Sequence, residues 1–86
     1  MSPSILHVNP NNGPLAGGIE IAVLGLHFPQ SSQCFFGPEE ATIKEWKEGW
    51  LCCILPPCRA PGPVDVTIRV EGTVAGHSPQ RFVYRD

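Results

Sequence analysis

The residues with most chemistry to offer are His7, Cys34, Cys52, Cys53 and Cys58, the types that hold transition metals. Structural zinc needs four such ligands converging tetrahedrally, commonly from C-x-x-C or H-x-x-x-H pairs, and neither spacing occurs here. Cys52 and Cys53 are neighbours on a stretch that reads as strand, so their side chains leave on opposite faces and cannot serve one ion. Neither a metal nor a cofactor is expected. Hydrolysis would require a nucleophile, a base and an orienting group brought together. Ser31, Ser32 and Ser78 fall in expected loops, His7, His27 and His77 read as scattered surface or turn residues, and no G-x-S-x-G signature is present, so no enzyme is expected. Trp46 and Trp50 raise a third chemistry, stacking on sugar faces. Two tryptophans flanking the Lys47-Glu48-Gly49 turn more commonly cap the edge of a core, and no small-molecule ligand is expected.

The elements that must position these residues are bounded by composition. With 86 residues the chain is one domain, residues 1–86, large enough for a modest core and too small for a core plus a deep cleft. Ten prolines and nine glycines beside 42% apolar residues describe short strands joined by sharp turns rather than disorder. A net charge of −2 and a pI near 5.8 lack the basic excess of a free-standing nucleic-acid binder. The Lys and Arg residues form no run, so no specific nucleic acid binding is expected of the domain alone. No apolar stretch is long enough to span a bilayer and the start, Met1-Ser2-Pro3-Ser4, is not a signal peptide, so no membrane contact is expected. Met1 abuts the first expected strand, which suggests a module cut from a longer protein.

Pro10 to Phe28 carries the strongest organisation. Asn11, Asn12, Gly13 and Pro14 read as a tight loop, and Gly17-Gly18 supply free backbone where the chain reverses. Ile19 to Leu24 then alternates as a strand until Gly25, with Phe28 spaced to fold back as a core plug. Gly17, Gly18 and Gly25 are all expected to hold backbone angles unsuited to other residues. Further strands are expected at Ile5 to Val8 (with a kink), Gln33 to Phe36, Thr42 to Trp46, Trp50 to Leu55, Val64 to Val70 and Arg81 to Tyr84. Lys44 to Glu48 could instead form a helical turn, because its charges have no period-two order. Strands of this length without a convincing helix indicate an all-β, immunoglobulin-like antiparallel sandwich. Its usual B-to-F disulfide has no counterpart, since Ile19 to Leu24 and Val64 to Val70 contain no cysteine. Cys34 with Cys53 is the one pair considered for a bridge. Reduced, buried cysteines are favoured, with Cys58 exposed and oxidisable in the P-P-C-R-A-P loop.

One consequence of alternation concerns function. If Ile21, Val23, Leu51, Cys53 and Leu55 point inward, Ala22, Leu24, Trp50, Cys52 and Ile54 must point outward. An outward apolar set on neighbouring strands is what an interface leaves in a sequence, unless another part of the parent protein covers it.

Six motifs fall in order along the chain: P-x-x-G-P-x-x-G-G from Pro10, G-x-x-F from Gly25, F-G at Phe36, P-P at Pro56, G-P-V-x-V-x-I from Gly62 and F-x-Y from Phe82. The ordered set resembles the IPT/TIG domain, the immunoglobulin-like module of Rel-type transcription factors, plexin-type receptors and some bacterial starch enzymes. I-L-P-P followed by P-G-P-V-D-V-T-I, with G-G-I-E-I-A-V-L-G near the start, is most similar to fungal membrane-tethered transcription activators that control fatty-acid desaturase genes. That resemblance implies a non-enzymatic dimerisation or protein-interaction module of an intracellular transcription regulator, with a protein partner that could be a second copy in a weak homodimer. It further implies a nuclear or cytoplasmic setting, ankyrin repeats after the domain, and a parent anchored to the endoplasmic reticulum membrane before release. Two alternatives stay open: an extracellular receptor or adhesion module with Cys34 and Cys53 bridged, and a carbohydrate-binding module of a secreted enzyme.

Overall fold

Period-two alternation dictates strands, and the computed structural model, which describes residues 3–86, is built from ten of them. Met1 and Ser2, placed by the sequence directly ahead of the first strand, lie outside the described residues. In chain order the strands are β1 (Ser4–Asn9), β2 (Asn12–Pro14), β3 (Glu20–Leu26), β4 (Ser32–Phe36), β5 (Glu39–Lys47), β6 (Trp50–Ile54), β7 (Gly62–Val64), β8 (Val66–Val70), β9 (Thr73–His77) and β10 (Phe82–Arg85). Seven pair in the order β1-β3-β6-β5-β4-β8-β9, and β2, β10 and β7 form a smaller sheet. The long β5 pairs with β4 through Glu39–Ala41 and with β6 through Thr42–Lys47, so it turns the sheet from one layer of the sandwich to the other. The edge strands β1 and β9 nearly meet: a Cβ on Gly76 would lie 2.5 Å from the Pro3 carbonyl oxygen. No helix among the described residues is long and apolar enough to cross a membrane.

Inward residues of both layers share one core that includes Ile21, Val23, Leu51, Cys53 and Leu55 from one side and Cys34, Phe36, Val66 and Ile68 from the other. Phe28 is 1% exposed and fills the open end as the plug its spacing implied. Phe36, Phe82 and Tyr84 stack edge to face at 5.1 and 5.3 Å between centroids, a geometry aromatic quadrupoles favour. The Tyr84 hydroxyl donates to the Pro56 carbonyl at 2.7 Å, and burial pushes its pKa up to about 12.

Several local expectations change. Thr42 to Lys47 is strand throughout, and the missing charge periodicity at Lys44 is a β-bulge: the pairing slips between Ile43 and Glu45, and the extra residue scrambles the alternation. The kink expected in β1 is likewise a slip between Ile5 and His7 around Leu6. Val64 to Val70 is two strands, because Gly62–Val64 pairs with β10 while Val66–Val70 pairs with β4. Asn12–Pro14, read as loop, pairs parallel with β10, the exception to the antiparallel pattern among the described pairs. Glu71 and Gly72 both take positive φ, 53° and 80°, and so turn the chain back into β9, which the sequence did not reveal. Gly17 and Gly18 have the expected left-handed φ, 70° and 90°. Gly25 does not: it is needed for space, since a Cβ there would strike the Ser4 carbonyl oxygen and lie 2.6 Å from the Phe28 ring.

Candidate protein-interaction surface

Cross-strand partners share a face, so register sorts the proposed interface residues directly. Glu20, Ala22 and Leu24 of β3 stand opposite Ile54, Cys52 and Trp50 of β6. All five candidate residues, Ala22, Leu24, Trp50, Cys52 and Ile54, therefore lie on one outer face, behind the fully buried Ile21, Val23, Leu51 and Cys53.

Their availability differs. Leu24 is 38% exposed, and Ala22, Trp50 and Ile54 are half-buried. Cys52 is covered by its own chain: its Sγ donates to Glu20 Oε1 at 3.5 Å, and Glu20 Oε2 meets Lys44 Nζ at 2.7 Å. The bulge that displaces Lys44 delivers it to this position. The Lys44 hydrogen bond, and secondarily that from Cys52, holds the Glu20 carboxyl below its ordinary pKa, while the same carboxylate raises that of Lys44. Burial first and the Glu20 contact second raise the Cys52 thiol, so it stays protonated and unreactive near neutral pH.

The other end of the face is apolar and open. Leu26 is 48% exposed, one outward position beyond Leu24, and Leu6 at the β1 bulge is 60% exposed. The sequence pointed to neither. Reading Gly25 as a strand terminator removed Leu26, and a bulge residue such as Leu6 has no assignable face until its pairing is known. Lys47 Nζ lies 5.4 Å from the centroid of the Trp50 ring and borders the patch with positive charge.

Other candidate chemistries separate in space. Trp46 stands opposite Leu51, on the inner side, and its indole N–H donates to the Phe28 carbonyl at 3.1 Å. Trp46 and Trp50 therefore lie on opposite faces of one sheet and form no shared stacking platform. Ser32 is not a loop residue but the buried first residue of β4, with its hydroxyl on the Pro29 carbonyl. Cys58 is half-buried against the core, its amide bonded to the Leu15 carbonyl at 2.9 Å, which corrects its expected exposure. Among the described residues no three His, Cys, Asp or Glu side chains come together as a metal site. His7 and His77 are exposed, and His27 is a half-buried turn residue with φ of 60°.

Comparison with known proteins agrees with this geometry. Among solved structures, the plexin A4 extracellular region superposes with a TM-score of 0.89 at 18% identity, covering 100% of this chain and 7% of that one. A Bacteroides thetaiotaomicron protein of unknown function gives 0.82 at 18% identity, over 99% of this chain and 22% of the other. These likenesses establish the fold. An ankyrin and IPT/TIG repeat-containing protein of Schizosaccharomyces pombe is 31% identical over 99% of this chain and 7% of its own length. In Saccharomyces cerevisiae, Protein SPT23 is 43% identical and Protein MGA2 39% identical, each over 77% of this chain and 6% of the relative. The chain thus spans a small fraction of the curated relatives it matches. With the IPT/TIG domain model matched across residues 3–84, nearly the whole sandwich described above, the chain belongs to the IPT/TIG family.

Proposed function

We propose that this domain is a non-enzymatic protein-interaction module of a transcription regulator, and that it docks a partner chain through the outer face of β1, β3 and β6. The observation that carries the reading is the exposure of Leu6, Leu24 and Leu26, at 60%, 38% and 48%, beside Trp50 on neighbouring strands. Three leucines exposed together beside an aromatic ring have the composition of an interface core, and Lys47 supplies a polar rim. Ala22 and Ile54 widen the surface, while Cys52 lies beneath the Glu20–Lys44 pair. Similarity to SPT23, MGA2 and an ankyrin-containing relative supports a fungal-type regulator with ankyrin repeats elsewhere in the parent. On that reading the parent acts in the nucleus or cytoplasm after release from the endoplasmic reticulum membrane.

Self-association of the isolated domain is weak. The remaining exposed area of each leucine is worth roughly 1 kcal/mol, or roughly 6 kcal/mol across a two-fold pair, against an association cost of about 4–15 kcal/mol. Flanking parts of the parent supply the rest. Duplex DNA is not the proposed partner: the chain carries a net charge of −2, and three of its six Lys and Arg residues are engaged within the domain, Lys44 with Glu20, Arg81 with Asp65 and Arg69 over Phe35. Sedimentation equilibrium at high protein concentration tests the reading. Weak dimerisation, lost in Leu24→Glu without a change in Tm, is expected; unfolding of Leu24→Glu would place that residue in the core and refute it.

A further inference from the structure

Cys34 and Cys53 are each 0% exposed and belong to one core cluster, yet they come from opposite layers of the sandwich. Cys34 sits on β4 between Ala41 and Ile68, and Cys53 sits on β6 between Ile21 and Ile43. Their partners on β5, Ala41 and Ile43, are two residues apart and so share a face, and the turn of β5 from one layer to the other sets Cys34 and Cys53 in the same core. Nothing in the interaction surface uses them.

We propose that Cys34 and Cys53 form a latent cross-sandwich disulfide site, closed when the chain folds under oxidising conditions and shielded from exchange once the core has formed. It is not the usual bridge of immunoglobulin-like domains, because the strands that would carry that bridge, β3 and β8, hold no cysteine. Closure proceeds by thiol–disulfide exchange with oxidised glutathione. One thiolate attacks it, releasing a reduced glutathione and leaving a mixed disulfide. The second thiolate then attacks the protein sulfur of that mixed disulfide and expels another reduced glutathione. The pair loses two electrons and two protons, and one S–S bond forms. In the folded chain the tripeptide cannot reach either sulfur, and the Cys53 thiol first and burial second push the pKa of the Cys34 thiol well above its ordinary range, so that it stays protonated. Exchange therefore waits on opening of the sandwich, and the redox state at folding is retained.

The test uses the whole chain, as wild type and as the Cys52→Ser/Cys58→Ser variant, in which a single intramolecular pairing remains. Each is unfolded in urea, refolded in a glutathione buffer of high oxidised fraction, and analysed by intact mass, peptide mapping and thermal melting. A product lighter by two hydrogens, bridged between Cys34 and Cys53, is expected to melt roughly 10 °C or more above the reduced form, as closing a loop of this length implies. Reduced protein already folded should resist the same buffer for times at least ten-fold longer. Wild-type pairing through Cys52 or Cys58, a bridged form that melts below the reduced one, or equal oxidation rates for folded and unfolded chain would each overturn the proposal. If the double variant fails to fold, the wild-type mapping decides alone.

Discussion

The two outer faces of the sandwich carry comparable apolar groups and treat them differently. On the β4–β8 side, Phe35 points outward, but the Arg69 guanidinium lies 3.9 Å from its ring centroid and Gln33 reaches Glu40 at 3.4 Å. The chain has covered its own aromatic there, leaving Val74 on the edge strand β9 as the exposed aliphatic, at 52%. On the β3–β6 side the covering is partial. Glu20 and Lys44 close over Cys52, whereas Leu6, Leu24 and Leu26 remain exposed among the described residues. A surface ring stacked by arginine is satisfied within the domain, whereas three leucines exposed together are the kind of apolar patch that an interaction site leaves uncovered. This difference makes the β3–β6 face, and not the β4–β8 face, the proposed docking side.

The comparison breaks most sharply if inward and outward residues have been misassigned. Leu51→Ala is expected to destabilise by about 2–5 kcal/mol through loss of burial and a residual cavity. Leu24→Ala, on the neighbouring strand and the other side of the same sheet, should stay within about 0.5 kcal/mol. Urea denaturation of both variants checks the pair; equal losses would dissolve the distinction. A second lever acts beneath the leucines alone. Gly25→Ala forces a methyl against the Ser4 carbonyl and should cost about 1–3 kcal/mol by pushing β1 from β3. Gly18→Val meets nothing within 4 Å and should cost about 1 kcal/mol from backbone strain at φ 90°. Thermal melts should rank Gly25→Ala as the greater loss, and the reverse order would mean that backbone angle outweighs space.

Beneath both faces, Tyr84 gives the core a pH signature. Its pKa is raised by burial from an ordinary value near 10 to about 12, so the folded state favours the neutral phenol. The stability this represents is fully present below about pH 10 and is lost as the pH rises from about 10 through about 12. Tyr84→Phe should cost about 1 kcal/mol at neutral pH through the hydrogen bond to Pro56 and flatten the alkaline limb of stability against pH. An unchanged limb would place the titration elsewhere. The smallest effect on stability, and the most pointed, is Arg69→Ala. Its expected cost is at most about 1 kcal/mol, but it uncovers Phe35 and should give the β4–β8 face a tendency to associate that it otherwise lacks. Sedimentation of Arg69→Ala in a Leu24→Glu background reads this directly, and a strict monomer would show that Arg69 is not what silences that face.

How much of this was legible in the sequence depended on whether alternation was interrupted. Ile21, Val23, Leu51 and Cys53 alternate without a break, and the inward and outward assignments of β3 and β6 follow from them alone. At Leu6 and Lys44 a single inserted residue flips the face, and only the partner strand shows that an insertion has occurred. β2 and β7 each contain glycine and proline, which signal turns locally; their pairing with β10 is a tertiary fact. The shielding of Cys52 was equally hidden, because Glu20 and Lys44 are 24 residues apart and meet only through register. Of the candidate surface, the sequence set the expected centre at Leu24 and Ile54 with Ala22 and Cys52 beside them, and in the structure Leu24 is exposed, Ala22 and Ile54 are half-buried and Cys52 is buried. The sequence could not yield the boundary, which runs toward Leu26 and Leu6 and away from Cys52.

The central claim is most directly tested by a dilution series of two-dimensional amide NMR spectra. Concentration-dependent shifts are expected at Leu6, Leu24, Leu26 and Trp50, while Gln33, Phe35, Thr67 and Arg69 stay fixed. Shifts centred on Phe35 and Arg69, or none on either face up to millimolar protein, would contradict it.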